Sequence, residues 1–329
     1  MTRSFIPLLL ISLSAFSCDK AKNLANQAKS AVEEKIVNAG GTAEGAKPDP
    51  ELQKLVDQTA EGVIFRKDLP FPDKVEIRTT RKDEIDGRYF QSSAIGKHAE
   101  QKKGTRIVIT KLERAGDQIR YTLEQSSFTL PPVEGEEEPK KAVVDPLKQV
   151  APAGKPMTFR KAGKTWECSA SDGFRAAALS RELSPVFDQL LTENALEPRA
   201  LWLGKRRFKT GDQVPVTGDS LSMLVSGKAS GRLTLTFEKS EAVEGHPCGV
   251  FSITGDYSRK QVPDFEGEMT DEDVTIESGR IWLSLLYPII MKQDFNTIQT
   301  TRTGGQGGNA ERGQGTVKVS LVRDWKSKP

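Results

Sequence analysis

The sequence contains only two histidines, His98 and His246, which limits the catalytic chemistry that it can support. Nucleophilic catalysis of the Ser-His-Asp or Cys-His type needs a histidine that is oriented by an acid. No Gly-x-Ser-x-Gly elbow accompanies either histidine. His98 lies in a charged stretch and is expected at the surface, whereas His246 belongs to a Gly-His-Pro-Cys turn. A nucleophilic hydrolase is therefore disfavoured, and the sequence leans towards a protein that is not an enzyme.

Metal and phosphate motifs are also lacking. His246 and Cys248 are two potential zinc ligands, but the paired Cys/His spacing of zinc sites is missing. The glycine-rich segment 304–315 has no Gly-Lys-Ser/Thr and does not join a strand to a helix, so it is not a phosphate loop. Asp271 and Asp273 form a carboxylate pair without the spacing of a calcium loop. We therefore expect no metal and no cofactor.

Charge is close to balanced, with 48 Lys and Arg against 45 Asp and Glu and a formal net charge of +3. Such a balance argues against nucleic acid as a partner. One dense basic cluster consists of Lys205, Arg206, Arg207 and Lys209. It is a candidate contact for anionic lipid headgroups or cell-wall polymers. The preferred alternative is a solvated turn before the next strand.

The sequence contains no long apolar run, and a short one occurs at its N-terminus. The run Phe5–Phe16 follows Arg3 and ends before the charged Asp19. A membrane-spanning helix needs roughly 20 apolar residues, and no run in the sequence reaches that length. A short apolar run behind a positive residue is typical of a secretory signal peptide, here residues 1–17.

The end of that segment resembles a lipobox, the recognition sequence of bacterial lipoprotein precursors. The resemblance covers 1–18 only, and Ala15 and Phe16 stand where the family favours Leu and a small residue. It implies cleavage before Cys18, acyl chains such as palmitate on its thiol, and a membrane anchor facing the periplasm or the cell surface. Ordinary signal peptidase would cut the same bond and leave a soluble secreted protein with a free thiol on Cys18.

With Cys18 assigned to the lipid, Cys168 and Cys248 remain in a compartment that permits disulfides. A Cys168–Cys248 bridge is one expectation. Two buried thiols that act as small hydrophobes are the alternative. The sequence does not show whether the two Cα atoms approach within about 7 Å, as a bridge requires.

The mature chain is expected to begin with a lipidated stalk and linker over residues 18–48. Helix formers over 20–37 predict a solvated stalk helix, and the glycines after it predict a flexible linker. A short helix is expected over Pro50–Ala60, with Asp49 as its N-cap. About 280 residues follow, which is enough for a substantial core.

In the N-terminal β region, 49–130, apolar residues recur with period two and predict antiparallel hairpins. Asp86-Gly87 predicts the turn of the first hairpin, and Gly116 the turn of the second. Five prolines and a run of glutamates over 131–155 predict a long loop or interdomain linker.

The C-terminal region, 156–329, has a mixed pattern and forms one domain with 49–130 or a second one. Helical spacing over 174–196 predicts two short helices, or one kinked at Ser184-Pro185, packed on the concave face of a sheet. The other segments alternate as strands.

Four details of these strands can be tested. Residues 245–247 predict a turn, and 264–273 an acidic loop. Residues 281–289 predict a strand covered on both faces, with Trp282 and Leu286 on the face opposite to the odd-numbered residues. The Gly-rich tip 304–308 predicts a hairpin.

The predicted fold is mainly β (α+β), a curved antiparallel sheet or incomplete barrel with a few short helices. The alternative is a two-sheet β-sandwich. The first arrangement is similar in outline to envelope lipoprotein carriers and lipid-binding lipoproteins, at the level of the fold alone.

The expected function is a non-enzymatic binding or scaffolding role in the cell envelope, for an apolar ligand or a protein partner. The alternative is an envelope enzyme acting on cell-wall polymer or lipid. A dry apolar concave face would favour the first, and clustered carboxylates or a buried His98 or His246 would favour the second.

Overall fold

The structure is a computed structural model that describes residues 47–66, 68–69, 72–93, 96–129, 153–163, 165–169, 180, 183, 187, 203–225, 229–263, 269–304 and 310–327. The signal peptide, Cys18, the stalk, the linker before residue 47 and most of 131–155 lie outside the described residues. Contacts divide the chain into units 1–43 and 44–329, and all the described elements belong to the second. Within the described residues, no helix combines the length and the hydropathy that crossing a bilayer requires.

Eleven of thirteen described strands form one antiparallel sheet, in the order β7-β6-β5-β4-β3-β13-β12-β11-β10-β9-β8. The sheet is curved and does not close into a barrel, so the mainly β prediction is confirmed and the two-sheet sandwich is not what forms. The strands are β1 Asp57–Thr59, β2 Gly62–Ile64, β3 Lys74–Ser93, β4 Gly96–Ala115, β5 Gln118–Thr129, β6 Met157–Ala162, β7 Thr165–Cys168, β8 Gln213–Thr217, β9 Ala229–Val243, β10 His246–Pro263, β11 Met269–Ser284, β12 Ile290–Gly304 and β13 Ala310–Ser327.

The remaining described elements are short. The first two strands, β1 and β2, form a separate hairpin. Helix α1 covers Pro50–Gln53, and a 3-10 helix covers Gly218–Met223.

The two faces of the central strands differ in polarity. Asp83 pairs with Val319 and Ile85 with Val317, and all four are buried. The intervening Lys82 and Glu84 point to the opposite face because side chains alternate along a strand. The buried side is called the inner face here; on β3 and β13 its residues are Ile77, Arg81, Asp83, Ile85, Val317, Val319, Leu321, Arg323 and Trp325.

Two large apolar clusters pack on the sheet. The first draws residues from β3 to β7 and from β9 to β13. The second fills the β8–β11 end, where Phe65 and Phe208 cover the strands together with Leu221 of the 3-10 helix. A third, small cluster consists of Ile85, Val317 and Val319.

The predicted turn at Asp86-Gly87 is wrong. Both residues lie inside the continuous strand β3, where Gly87 pairs with Lys102 on one side and Gly315 on the other. A Cβ on Gly315 would lie 2.4 Å from the Gly87 Cα. The close approach of the two strands therefore requires glycine at position 315, and Gly87 lies inside a paired strand and not in a turn. The second predicted turn is confirmed, since Gly116 has φ +60° between β4 and β5.

The predicted helix over Pro50–Ala60 is shorter than expected. Asp49 caps it as predicted, because Asp49 Oδ1 accepts from the N–H of Glu51 at 2.8 Å. The helix ends at Gln53, and Asp57–Thr59 is already strand β1. Pairing of β1 with β2 competes for these residues, which overrides their local helical spacing.

The C-terminal strands follow the predicted order, with shifts at their ends. Strands β12 and β13 pair, as expected around the glycine-rich tip. The turn between β9 and β10 is Glu244-Gly245, both with positive φ, so His246 begins the strand instead of lying in the turn. Asp271 and Asp273 lie within β11, which corrects the end of the predicted acidic loop.

Residues 281–289 are all buried, so the expectation of cover on both faces is confirmed. The strand itself ends at Ser284, and the chain bends after it. Side chains stop alternating after Ser284. Tyr287 and Ile289 therefore pack with Trp282 in the first cluster, whereas the prediction placed them on the face of Ile281, which belongs to the second cluster.

The segment 174–196 is described only at Ser180, Leu183 and Phe187, and all three are helical. The Phe187 ring centroid lies 4.9 Å from that of Phe159 and 5.7 Å from that of Tyr121. Tyr121 is linked by pairing through Leu112 to Ile77, so Phe187 packs on the inner face.

Candidate functional site

The cysteines do not build a site within the described residues. Cys18 lies outside them. No disulfide joins Cys168 and Cys248, so the expected bridge is absent from the structure. Cys168 lies on the edge strand β7, whereas Cys248 lies on β10 near the opposite edge. Cys248 is buried in the first apolar cluster and donates from Sγ to the carbonyl oxygen of His246 at 3.3 Å.

His246 is buried, the feature that would favour an enzyme, but its surroundings are closed. Its Nε2 lies 2.7 Å from Ser284 Oγ. That oxygen also accepts from the backbone N–H groups of Leu286 at 3.0 Å and Tyr287 at 2.9 Å. With both lone pairs occupied, the hydroxyl donates its proton to Nε2. The exposed fractions of His246 and Ser284 are 1% and 0%, so the pair holds the turn after β11 and is closed to a substrate.

The residues of the predicted basic cluster lie in different surroundings and have different contacts. Arg207 donates from Nη2 to Asp57 Oδ1 at 2.8 Å and from Nη1 to the Gly62 carbonyl oxygen at 3.3 Å, which ties down the β1–β2 hairpin. Lys205 and Lys209 are exposed. Arg207 is thus a structural residue, and the cluster is not one continuous cationic surface.

Arg206 lies beside an open groove of about 510 Å³. Its guanidinium lies 4.4 Å from the Phe208 ring centroid, and its Nη2 donates to the Gln213 carbonyl oxygen at 2.9 Å. The carboxylate of Asp219 also lines this groove and would repel a purely anionic ligand. The groove is lined by Leu203, Gly204, Arg206, Gln213, Val214, Pro215, Thr217, Asp219 and Ser220.

The sequence did not predict a second basic site, which lies on the inner face. Arg81 donates from Nε to both carboxylate oxygens of Asp83, at 2.9 and 3.1 Å. The Arg81 side chain is 47% exposed, whereas that of Asp83 is 2% exposed. The Asp83 carboxylate raises the pKa of Arg81, while burial lowers it. An exposed side chain whose charge is nevertheless desolvated is expected where the surface is concave, so we call this part of the inner face a recess.

Arg323 lies diagonally across from Arg81 on the neighbouring strand, since Arg81 pairs with Leu321 and Arg323 with Thr79. Burial, and then the charge of Arg81, lower the pKa of Arg323 to about 10. Its Nη1 donates to the carbonyl oxygen of Ile290. Among the described residues no carboxylate pairs with Arg323, and its Nε is buried without an acceptor.

Residues of strands β10 and β11 also belong to the recess. Tyr257 and Glu272 also raise the pKa of Arg81. Following the strand pairs from Arg81 on β3 across β13 and β12 leads to Ile281 on β11. Glu272 lies nine residues before Ile281 on that strand, so in a flat sheet Arg81 and Glu272 would be roughly 30 Å apart. Charges that far apart are screened. Tyr257 and Glu272 therefore lie close to Arg81, which the curvature of the sheet allows.

Glu272 is itself paired, with Arg259 Nη2 at 2.5 Å from its Oε2. Burial raises the pKa of Tyr257. The group Arg81, Asp83, Tyr257, Arg259, Glu272 and Arg323 is called the arginine recess below. It contains two ion pairs and one further cation, Arg323.

A sequence signal for the recess exists. Arg81 and Asp83 fall in phase with the buried Ile77 and Ile85, at positions where a half-buried strand normally carries apolar residues. From the alternation alone, charged residues at these two positions could equally belong to a solvated strand whose apolar pattern is interrupted.

No three His, Cys, Asp or Glu side chains within the described residues are placed to hold a metal ion. The backbone of His98 lies in β4, where it pairs with Gln91.

No protein-family model and no curated protein matches this chain. Similarities to solved structures are confined to the fold. Lipovitellin, from a study of its lipid–protein interactions, is 8% identical over 78% of this chain and 26% of that chain, with a TM-score of 0.35. The chain thus spans about a quarter of the lipovitellin chain.

Two further similarities are weaker. A domain described as an outer membrane lipoprotein-sorting protein, from Vibrio parahaemolyticus, is 9% identical over 75% of this chain and 85% of that chain, with a TM-score of 0.14. The outer membrane protease OmpT from Escherichia coli is 7% identical over 78% of this chain and 98% of that chain, with a TM-score of 0.21. Such values establish neither common ancestry nor a shared function.

Proposed function

We propose that this chain is an exported envelope lipoprotein that binds an apolar ligand on the inner face of its curved sheet and catalyses no reaction. The lipid expected on Cys18 anchors it, facing the periplasm or the cell surface. The observation that carries the binding role is the accessible recess around Arg81, which lies inside a buried face. A sheet that served only as a core would be filled at this position.

Apolar residues beside the recess support this role. Val319 pairs directly with Asp83 and contacts the small cluster of Ile85 and Val317. The partly buried Phe128 and Phe295 pack against the same cluster. An acyl chain or similar apolar group that enters the recess would meet Phe128 and Phe295, whose remaining exposed surface favours binding by roughly 25 cal/mol per Å² buried.

The closed setting of His246 supports a non-enzymatic role. The hydroxyl of Ser284 is occupied by two backbone N–H groups, so it is not positioned to attack a substrate. The carboxylates of the recess, Asp83 and Glu272, are held by Arg81 and Arg259. Their oxygens are thus engaged by arginine within the structure and not directed at an open cleft.

The ligand is tested by native mass spectrometry of the purified full-length chain and by titration with a fluorescent fatty-acid analogue. Val319→Trp fills the inner face beside Asp83, and Lys318→Trp adds the same ring to the exposed outer face of the same strand. We expect a bound lipid and saturable probe binding that Val319→Trp abolishes and Lys318→Trp preserves. Circular dichroism checks that both variants fold. Absence of lipid together with equal probe binding by both variants would refute the binding role.

The anchor is tested by metabolic labelling with radioactive palmitate. We expect label on the wild-type chain and none on Cys18→Ser, together with release of Cys18→Ser from the membrane fraction. Equal labelling of both forms would reject the anchor and leave the binding role to be judged by the first experiment.

A further inference from the structure

The arginine recess carries more positive charge than its carboxylates balance. Arg81 pairs with Asp83, and Arg259 pairs with Glu272. Arg323 adds a third guanidinium, with no carboxylate partner among the described residues. The net charge of these five groups is +1. A desolvated cation without a counter-charge is unfavourable in the folded protein, and an anion brought to it removes that penalty.

The two neighbouring arginines also keep hydrogen-bond donors available. Arg81 uses only Nε on Asp83, and the structure gives its two Nη groups no acceptor among the described residues. Arg323 uses Nη1 on the Ile290 carbonyl oxygen, and no described acceptor takes its Nη2. A guanidinium presents its N–H groups in a planar fork that matches a carboxylate or a phosphate.

The positions of the two side chains make them a pair. Arg81 and Arg323 are diagonal neighbours on the same face of adjacent strands. Each cation disfavours the other, because the charge of Arg81 lowers the pKa of Arg323. An oxyanion that bridges both would replace this repulsion with two charge-assisted contacts.

We propose that Arg81 and Arg323 bind an oxyanion, a carboxylate or a phosphate, that forms the headgroup of the ligand. The inference rests on the proposed function, because it supplies the polar end of the ligand whose apolar part contacts Phe128 and Phe295. The ligand class is therefore an anionic amphiphile, such as a fatty acid or a phospholipid-like phosphate ester. The headgroup contacts the recess, and the chain extends along the inner face towards Phe295.

The test compares four probes by calorimetry: dodecanoate, dodecyl phosphate, dodecanol and inorganic phosphate. The full-length chain carries Cys18→Ser in every arm, which removes the need for detergent. The variants are Arg81→Met, Arg323→Met and Arg323→Lys, and Arg78→Met is the control. Arg78 lies on the outer face of the same strand β3, where it pairs with Glu124. Thermal melting confirms that each variant folds.

We expect dodecanoate or dodecyl phosphate to bind the control protein and to bind Arg81→Met and Arg323→Met about tenfold more weakly or worse. Arg323→Lys should keep part of the affinity, because the charge remains and the fork is lost. Dodecanol should bind more weakly than either anion and equally to all variants.

The other outcomes separate the two proposals. If the anions and dodecanol bind equally and no arginine variant changes their affinity, the apolar ligand stands and the oxyanion site is overturned. If inorganic phosphate binds as tightly as dodecyl phosphate and Arg323→Met removes both, the oxyanion site stands and the apolar ligand is overturned. If none of the four probes binds, both proposals fail.

Discussion

Gly315 on β13 packs against Gly87 on β3 so closely that a Cβ on Gly315 would lie 2.4 Å from the Gly87 Cα and 2.5 Å from the Asp86 carbonyl oxygen. Both obstacles are backbone atoms, which cannot rotate away as a side chain can. The contact lies between β3 and β13, the two adjacent strands that carry Arg81 and Arg323. The approach of these strands therefore depends on the absence of a side chain at position 315.

Replacing Gly315 with alanine should separate β13 from β3 at this point. We expect Gly315→Ala to lower the free energy of unfolding by about 3 kcal/mol, as for overpacking of a tight site. Gln314→Ala is the control, because Gln314 is exposed and next to it on the same strand. Urea denaturation measures both. A Gly315→Ala protein as stable as Gln314→Ala would show that the strands have room to part.

The same pair shows why part of the fold could not be predicted from sequence. The period-two alternation of Ile119 and its neighbours, and the turn at Gly116, depend on residues close in sequence, and both predictions were confirmed. Asp86-Gly87 is an equally strong local turn pattern, but β3 continues through it because both residues pair with β13, a strand distant in sequence. A local pattern cannot distinguish a glycine in a turn from one inside a paired strand.

Ser284→Ala should destabilise the turn that follows β11. The substitution leaves the buried N–H groups of Leu286 and Tyr287 without the hydroxyl oxygen that accepts from them and removes the contact with His246. Leaving buried donors unsatisfied costs about 1–3 kcal/mol, so we expect a loss of about 3 kcal/mol. Ser278→Ala, on an exposed position of the same strand, should stay within about 0.5 kcal/mol. Equal melting temperatures of the two variants would contradict the structural role of Ser284.

Two members of the basic cluster, Arg207 and Lys205, lead to different predictions. Arg207→Ala removes the contacts with Asp57 and the Gly62 carbonyl oxygen and should lower stability by about 1 kcal/mol, a modest value because the Asp57 side chain is partly exposed. Lys205→Ala should leave stability unchanged, since Lys205 is exposed. Chemical denaturation distinguishes them, and limited proteolysis near β1 should accelerate in Arg207→Ala alone. If Lys205→Ala has the larger effect, the assignment of the anchor to Arg207 is wrong.

The candidate site was harder to predict than the fold. The sequence draws attention to Lys205 and its neighbours because four cations stand together, yet the structure divides them between tasks. Arg81 and Arg323 stand among alternating residues of two strands that are far apart in sequence. Only the pairing register places them side by side, and only the curl of the sheet brings Tyr257 to the same recess.

Alkaline pH should reveal the burial of Tyr121. Burial raises the pKa of its phenol above the ordinary value near 10, although the hydrogen bond with Thr110 opposes the shift. A raised pKa means that the folded protein favours the neutral phenol. The stabilisation is therefore complete below pH 10 and is lost as pH rises through the folded pKa, because the unfolded chain ionises first.

We expect the free energy of unfolding of the wild type to fall more steeply above about pH 10 than that of Tyr121→Phe, which cannot ionise at this position. At pH 7 the variant should differ from the wild type by only about 1 kcal/mol, the value of one lost hydrogen bond. The other tyrosines with raised pKa values, Tyr257 and Tyr287, remain in both proteins, so the difference between the two curves isolates Tyr121. Urea titrations at several pH values provide the measurement. Parallel curves would mean that Tyr121 ionises as easily in the folded as in the unfolded chain, which a ring packed 5.7 Å from Phe187 inside the core does not allow.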